Sequence, residues 1–186
     1  MPSSYSADLK LELMVTGEKA GLWGDITNTN LNIVQQAIAG YEAVTVNGTG
    51  TTALAFSNGA ISNGKNAVIV LTGTITGNII VTIPSGIEKN YTIRNGTTGS
   101  HTVTFKTVSG SGAVFAATDK GTRLFYSDGT NIVDVNAAFT TINQFTLPAS
   151  DGSNGQALIT NGSSTLSFGT AGITTGKAIA MAMIFG

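Results

Sequence analysis

The sequence predicts a mainly β chain in three parts: a short amino-terminal strand–loop–helix module, a central β-sandwich or jelly-roll-like domain, and an extended carboxy-terminal β segment that intertwines with other copies. Three observations carry that expectation. Thr, Ser, Asn and Gly (24 glycines in 186 residues) fill the positions between apolar runs, and they are pleated-surface and turn residues. Turn dipeptides recur through the chain, at Asn47-Gly48, Asn58-Gly59, Asn63-Gly64, Asn95-Gly96, Asp128-Gly129, Asp151-Gly152 and Asn161-Gly162. Charged residues make up only 10%, which suits a chain whose surface is largely covered by partners.

Leu9, Leu11 and Leu13 alternate with Lys10 and Glu12, so residues 9–15 read as a short strand. A loop with three glycines follows around Trp23, the single tryptophan. Thr27 or Asn28 is then a candidate N-cap, Leu31, Val34 and Ile38 fall at helical spacing, and Gly40 stands where a C-cap belongs, which predicts a helix over residues 28–39. It is short and its apolar face narrow, so it needs something to pack against; Trp23 packing under it is the expected intrachain contact.

From Tyr41 the pattern changes to strands, expected at 42–46, 52–56, 67–71, 78–83, 90–95, 101–107, 123–127 and 131–135. Residues 139–170 are polar and Gly/Ser rich, with apolar residues spaced too widely for a core of their own. Such a segment buries Leu158 and Phe168 only by meeting other copies along a symmetry axis. The apolar tail, 178–185, reads as a final strand buried in that assembly, because an exposed apolar strand promotes aggregation. The expected division is therefore 1–45, 46–138 and 139–186.

The same composition narrows function. Nine basic against ten acidic residues, with no basic run, leave no footprint for a phosphate backbone, so nucleic acid is not an expected partner. The apolar tail is too short to span a bilayer as a helix, and the start of the chain lacks the basic and apolar regions of a signal peptide. With no cysteine there are neither disulfides nor thiolate ligands, and no cofactor or metal is expected. One histidine, His101, is the only base on which a nucleophile triad could rest, and its place at a strand end favours a solvated or packing role. Asp119, Asp128, Asp134 and Asp151 are the acids of the β half, and turn formation accounts for most of them. Tyr91, Phe125 and Tyr126 are candidates for a sugar-stacking platform, with core packing expected for at least one.

Three stretches resemble tail-fibre and appendage proteins of tailed bacteriophages, particularly those of marine cyanobacteria and related hosts. The first is Leu9 to Gly24 with Thr27-Asn28-Thr29-Asn30-Leu31, similar to an amino-terminal module of such virion proteins. The second comprises Leu71-Thr72-Gly73, Val81-Thr82-Ile83-Pro84 and Tyr126-Ser127-Asp128-Gly129-Thr130-Asn131. The third runs from Leu147-Pro148-Ala149-Ser150-Asp151-Gly152 to Asn161-Gly162 and is similar to a repeat-like motif of fibre shafts, closed by Phe168.

The resemblance implies a non-enzymatic virion protein, assembled in the host cytoplasm as a homotrimer, that docks on the particle and attaches to a host surface, a surface glycan being the implied receptor. Leu22, Trp23, Asn28, Leu31 and Val34 are then the candidate docking residues. Leu158, Phe168, Ile179, Met181, Met183 and Phe185 are the candidate oligomer interface. With one copy of the shaft-like motif and no coiled-coil heptads, a capsid decoration protein is an alternative, and a carbohydrate-binding module or depolymerase a second one.

Overall fold

The structure, a computed structural model, describes residues 2–135, 141–142, 145–170 and 175–185. The chain divides into two compact units, Met1–Asn136 and Ala137–Gly186. It is mainly β, as expected.

In the first unit, β1 (Ser4–Tyr5) pairs with β2 (Glu12–Leu13), and α1 (Trp23–Ala39) leads into β3 (Tyr41–Thr45). Then come β4 (Gly48–Ala53), a single 3-10 turn at Asn63–Lys65, β5 (Val68–Thr72), β6 (Ile75–Ile83), β7 (Glu88–Asn95) and β8 (Val103–Thr107). β9 (Gly112–Phe115), β10 (Thr122–Asp128) and β11 (Ile132–Asp134) complete it. These strands form two sheets, five strands in the order β11-β10-β7-β5-β3 and four in the order β4-β6-β8-β9.

The two-sheet arrangement is the expected sandwich, and its trace is a coil. The chain passes from one sheet to the other at each step from β3 to β8, so β3, β5 and β7 pair in parallel on one side and β4, β6 and β8 in parallel on the other. Parallel neighbours need a long crossover; here the crossover is the strand of the opposite sheet. Only then does the chain reverse, β9 pairing antiparallel with β8, and β10 with β7.

For that reason most of the Asn-Gly dipeptides do not close hairpins. Asp128-Gly129 does, between β10 and β11, with Gly129 at φ +85°. Asn47-Gly48 instead turns a corner of the coil, where successive turns stack: Thr74 N–H donates to Asn47 Oδ1 (3.1 Å) and Thr98 Oγ1 to Thr74 Oγ1 (3.0 Å). Gly73 sits in this stack at φ +108°, and a Cβ there would fall 2.3 Å from Asn47 Oδ1 and 2.6 Å from Val46 O. Only glycine fits both demands.

The core lies between the sheets. Ile69, Leu71 and Ile93 from one face meet Ile79, Val81 and Val103 from the other. Tyr91, Phe105, Phe125 and Phe115 run through it edge to face, with centroid separations of 5.3, 5.8 and 5.7 Å. Such pairs contribute about 0.5–1.5 kcal/mol each beyond their buried area.

The amino-terminal arm is fastened to this body. Asp8 Oδ1 accepts Glu88 N–H (2.8 Å) and Lys10 O accepts Gly59 N–H (2.7 Å). The strand expected over residues 9–15 shrinks to two residues because the chain bends at Lys10, φ +55°.

The helix starts at Trp23, earlier than the Thr27 or Asn28 cap suggested, with Leu22 at its N-cap. Gly40 does end it, in an extended rather than left-handed conformation. Glycine is required there for closeness: a Cβ would lie 2.3 Å from Gln36 O and 2.4 Å from Asn66 Oδ1.

The second unit holds two small hairpins, β12 (Thr141–Ile142) with β13 (Phe145–Thr146) and β14 (Gln156–Thr160) with β15 (Leu166–Thr170). Asn161-Gly162 turns the second of these, Gly162 taking φ +78°. The tail, expected as a strand, is instead the helix α2 (Thr175–Phe185). Its period-two alternation of large side chains with Ala178, Ala180 and Ala182 imitates a strand, but Ala and Met are strong helix formers and their propensity prevails.

Candidate interaction surfaces

Asp119 accepts Gly121 N–H (2.9 Å) and pairs with Arg123, which also holds Asp134 at 2.9 Å and lies over the Phe115 ring. The Gly121 amide, and the guanidinium after it, hold the Asp119 carboxyl below the usual range. Asp128 closes its turn by accepting the Thr130 and Asn131 amides (2.8 and 2.6 Å), which lower its pKa. Both carboxylates are thus engaged in holding turns. His101 precedes β8, and its side chain has no hydrogen-bond partner among the described residues. Among those residues no three of His, Cys, Asp and Glu come together as a metal site, and no helix is long and apolar enough to cross a membrane.

Of the three residues weighed as a sugar platform, Tyr91 and Phe125 are in the core and only Tyr126 reaches the surface. Tyr91 and Phe125 alternate inward on β7 and β10, so the three rings are not on one face. The Tyr91 hydroxyl has no hydrogen-bond partner, and burial pushes its pKa up.

The described surface instead exposes apolar side chains, among them Ile80, Val108 and Val114 on and beside the four-stranded sheet and those of three further places. The first is α1, which carries two apolar stripes. Ile33 is fully buried, and Ile26, Asn30 and Ala37 lie on the same inner side. Asn30 fixes that orientation by bonding both backbone atoms of Glu12, at 3.0 and 2.9 Å, while Gln36 Oε1 accepts Ser62 N–H (3.2 Å). The outer stripe is Trp23, Thr27, Leu31, Val34 and Ile38, the face that spacing alone had suggested would pack.

Trp23 is 65% exposed and Ile38 75%. Trp23 therefore does not pack under the helix; it is the helix's own first residue, and the early helix start carries it outward. Of the candidate docking residues, Leu22, Trp23, Asn28 and Leu31 are exposed and Val34 is half-buried. Trp23, Leu31 and Val34 share the outer stripe, with Asn28 beside it and Leu22 at the N-cap.

The second place is the outer face of the five-stranded sheet. Tyr41, Val68, Thr92 and Leu124 are cross-strand neighbours in one row over β3, β5, β7 and β10, and Val135 N–H extends the row by bonding Leu124 O (3.0 Å). A groove of about 420 Å³ opens here, walled by Ala37 and Ile38 of α1, Ala67, Thr92, Leu124 and Val135. Sequence reading missed this surface, since a strand's inward and outward residues are both apolar here and only the register tells them apart.

The third place is the second unit. Leu158 is exposed, and Phe168 is half-buried against Gly152, where a Cβ would lie 2.5 Å from the ring. Ile179 is exposed, as are Met183 at 82% and Phe185 at 81%; Met181 lies in α2 with its side chain outside the described residues.

Beneath the α1 end, Lys65 is fully buried with its ammonium donating to Ser57 O and Ala60 O, both at 2.6 Å. Burial, and after it the charge of Lys10, pulls its pKa down to about 8. Lys89 lies over the Tyr91 ring, donates to Asn66 O and Asn90 O at 2.9 Å, and is likewise lowered by burial to about 8. Both cations hold backbone carbonyls, Lys65 those of a loop and Lys89 those of Asn66 and of Asn90 in β7. No sequence pattern marked either.

No family model matches the chain, no curated protein does, and no solved structure does.

Proposed function

We propose that this is a non-enzymatic structural protein of a tailed-phage particle, a homotrimeric fibre or fibre-like appendage that docks on the virion and reaches the host surface. The observation that carries the reading is the contrast between a first unit with its own core and a second unit whose Leu158, Ile159, Ile179, Met183, Ile184 and Phe185 stand exposed in a single chain. Side chains of that kind find cover in an assembly. The resemblance of residues 147–162 to fibre-shaft motifs supports a trimer as its form, and the outer stripe of α1, with Trp23 as anchor, is the docking surface on the particle. Attachment then works by avidity, weak contacts multiplied by copy number.

Light scattering on the full chain, with localisation of the protein in an electron-microscopy map of the particle, tests this. Three chains per assembly, projecting from the tail, is the expected result. Density on capsid lattice points would make it a decoration protein, and a monomer absent from the particle would end the structural reading. Cleavage of a surface polysaccharide by the purified wild-type chain would overturn the non-enzymatic part.

A further inference from the structure

We infer that the outer face of the five-stranded sheet pairs with the same face of a second copy, about a two-fold axis running across the strands. The starting point is a topological one. Sheets built from parallel strands are ordinarily covered on both faces, and β3, β5 and β7 are parallel. Their inner face meets the four-stranded sheet, while Tyr41, Leu124 and Val135 on the outer face are exposed.

Charge then chooses the partner. β7 is the central strand, and its outward residues run from Glu88 at one end to Arg94 at the other. Glu88 lies directly opposite Asp128 of β10, two like charges side by side, which is unfavourable in an isolated sheet. Neither Glu88 nor Arg94 has an ion-pair partner among the described residues. The face is thus acidic at one end, basic at the other and uncharged across the middle.

Two copies can stack such faces with strands running the same way or opposite ways. The first puts Glu88 of the central strand on its own equivalent, with both acidic ends together, and is repelled. The second sets Arg94 of each copy over Glu88 and Asp128 of the other. The axis then crosses β7 level with Tyr91, midway between Glu88 and Arg94, and the row Tyr41, Val68, Thr92, Leu124 and Val135 lies beside it, all five uncharged. The acid-to-base span, six residues at about 3.3 Å, and five strands about 4.8 Å apart give a face of the order of 20 by 20 Å. That is about 400 Å², half of the roughly 800 Å² a side of a standard interface, so the pairing belongs to the weak, concentration-dependent class. The groove beside Ile38 leaves room for side chains of the facing copy. Complementary charge here fixes orientation more than it adds affinity.

This pairing goes beyond the appendage reading and does not rest on it, because it doubles whatever assembly the rest of the chain forms. Light scattering on the full chain over a range of concentrations reads it directly. Arg94→Glu is expected to halve the mass, and so is Leu124→Lys, which buries an unpaired cation in the uncharged middle of the paired face. Arg94→Glu combined with Glu88→Arg is expected to restore the full mass; Asp128 is left intact because it holds its turn. Unchanged circular dichroism and thermal midpoint in each variant exclude misfolding as the cause. A mass indifferent to Arg94→Glu and Leu124→Lys overturns the inference, and a halved mass that the double variant fails to restore overturns the stated orientation. A halved species of other than three chains counts against the trimer alone.

Discussion

The two units of this chain treat apolar side chains in opposite ways. In Met1–Asn136 they converge: Ile69, Leu71, Val81, Ile83, Ile93, Val103, Phe105 and Phe115 are all fully buried. In Ala137–Gly186 no described side chain is buried, and the largest stand in solvent. Ordering a residue costs about 1–2 kcal/mol of backbone entropy, and among the described residues of the second unit no buried side chain offsets it. The difference teaches where stability can come from: the first unit has a core of its own, and on the proposed assembly the second is covered by other copies.

The comparison breaks most sharply at the centre of the first core. Phe105 touches both Tyr91 and Phe125 across the sandwich. Phe105→Ala is expected to cost about 3–5 kcal/mol, enough to unfold a marginal domain near room temperature. Denaturant unfolding followed by circular dichroism measures it. A loss below about 1 kcal/mol would mean that the sheets do not share one core.

Gly73→Ala comes next. The added methyl meets Asn47 Oδ1 and Val46 O in a backbone conformation that L side chains rarely adopt. A loss of about 1–3 kcal/mol is expected, from strain and from the broken corner stack. Gly17, also at positive φ but with open space around it, is the control; Gly17→Ala there is expected to cost only the conformational part.

How much of this was legible beforehand follows from period. The β character and the two-sheet arrangement came from Thr- and Gly-rich alternation, a local property. The coil did not, because whether Asn47-Gly48 closes a hairpin or turns a corner depends on which strand lies alongside, and that is settled by long-range pairing. α1 shows the same limit. Its outer stripe has the larger side chains, so spacing alone chose it as the packed face, whereas the inner face is selected by Asn30 and Gln36, polar residues that bond distant backbone. α2 misled for a third reason, its period-two alternation carrying residues of helical propensity.

Acidity gives a smaller effect. Lys65 and Lys89, both at about 8 in the folded chain against 10.5 for an ordinary lysine, bind fewer protons than the unfolded chain between those values. The cost of burying two charges is fully present below pH 8 and is relieved as pH rises toward 10, so stability should increase over that window. Above it Tyr91, whose pKa is raised, retains its proton while the unfolded chain loses it, and the trend reverses. A rise of a few degrees in the thermal midpoint between pH 7.5 and about 9.5 is expected on the usual relation of free energy to midpoint. Lys65→Met should flatten part of it. A midpoint that falls steadily from pH 7.5 would show that the carbonyl cage around Lys65 favours the charged form more strongly than burial opposes it.

The smallest effect on the first unit is expected from the second. Met183→Ser with Phe185→Ser removes two of the most exposed apolar side chains of α2, neither of which has a role in the first unit's core. The first unit's thermal midpoint should hold to within about 0.5 kcal/mol equivalent, as for surface substitutions generally. The assembly should not hold. If these side chains are covered by other copies, losing them removes about 1.5–3 kcal/mol of burial per apolar residue in every chain, and light scattering should show a lower mass at a given concentration. The two readouts separate the units in one experiment: midpoint and mass falling together would mean that the second unit stabilises the first, whereas an unchanged mass would mean that α2 stands outside the contacts holding the copies together.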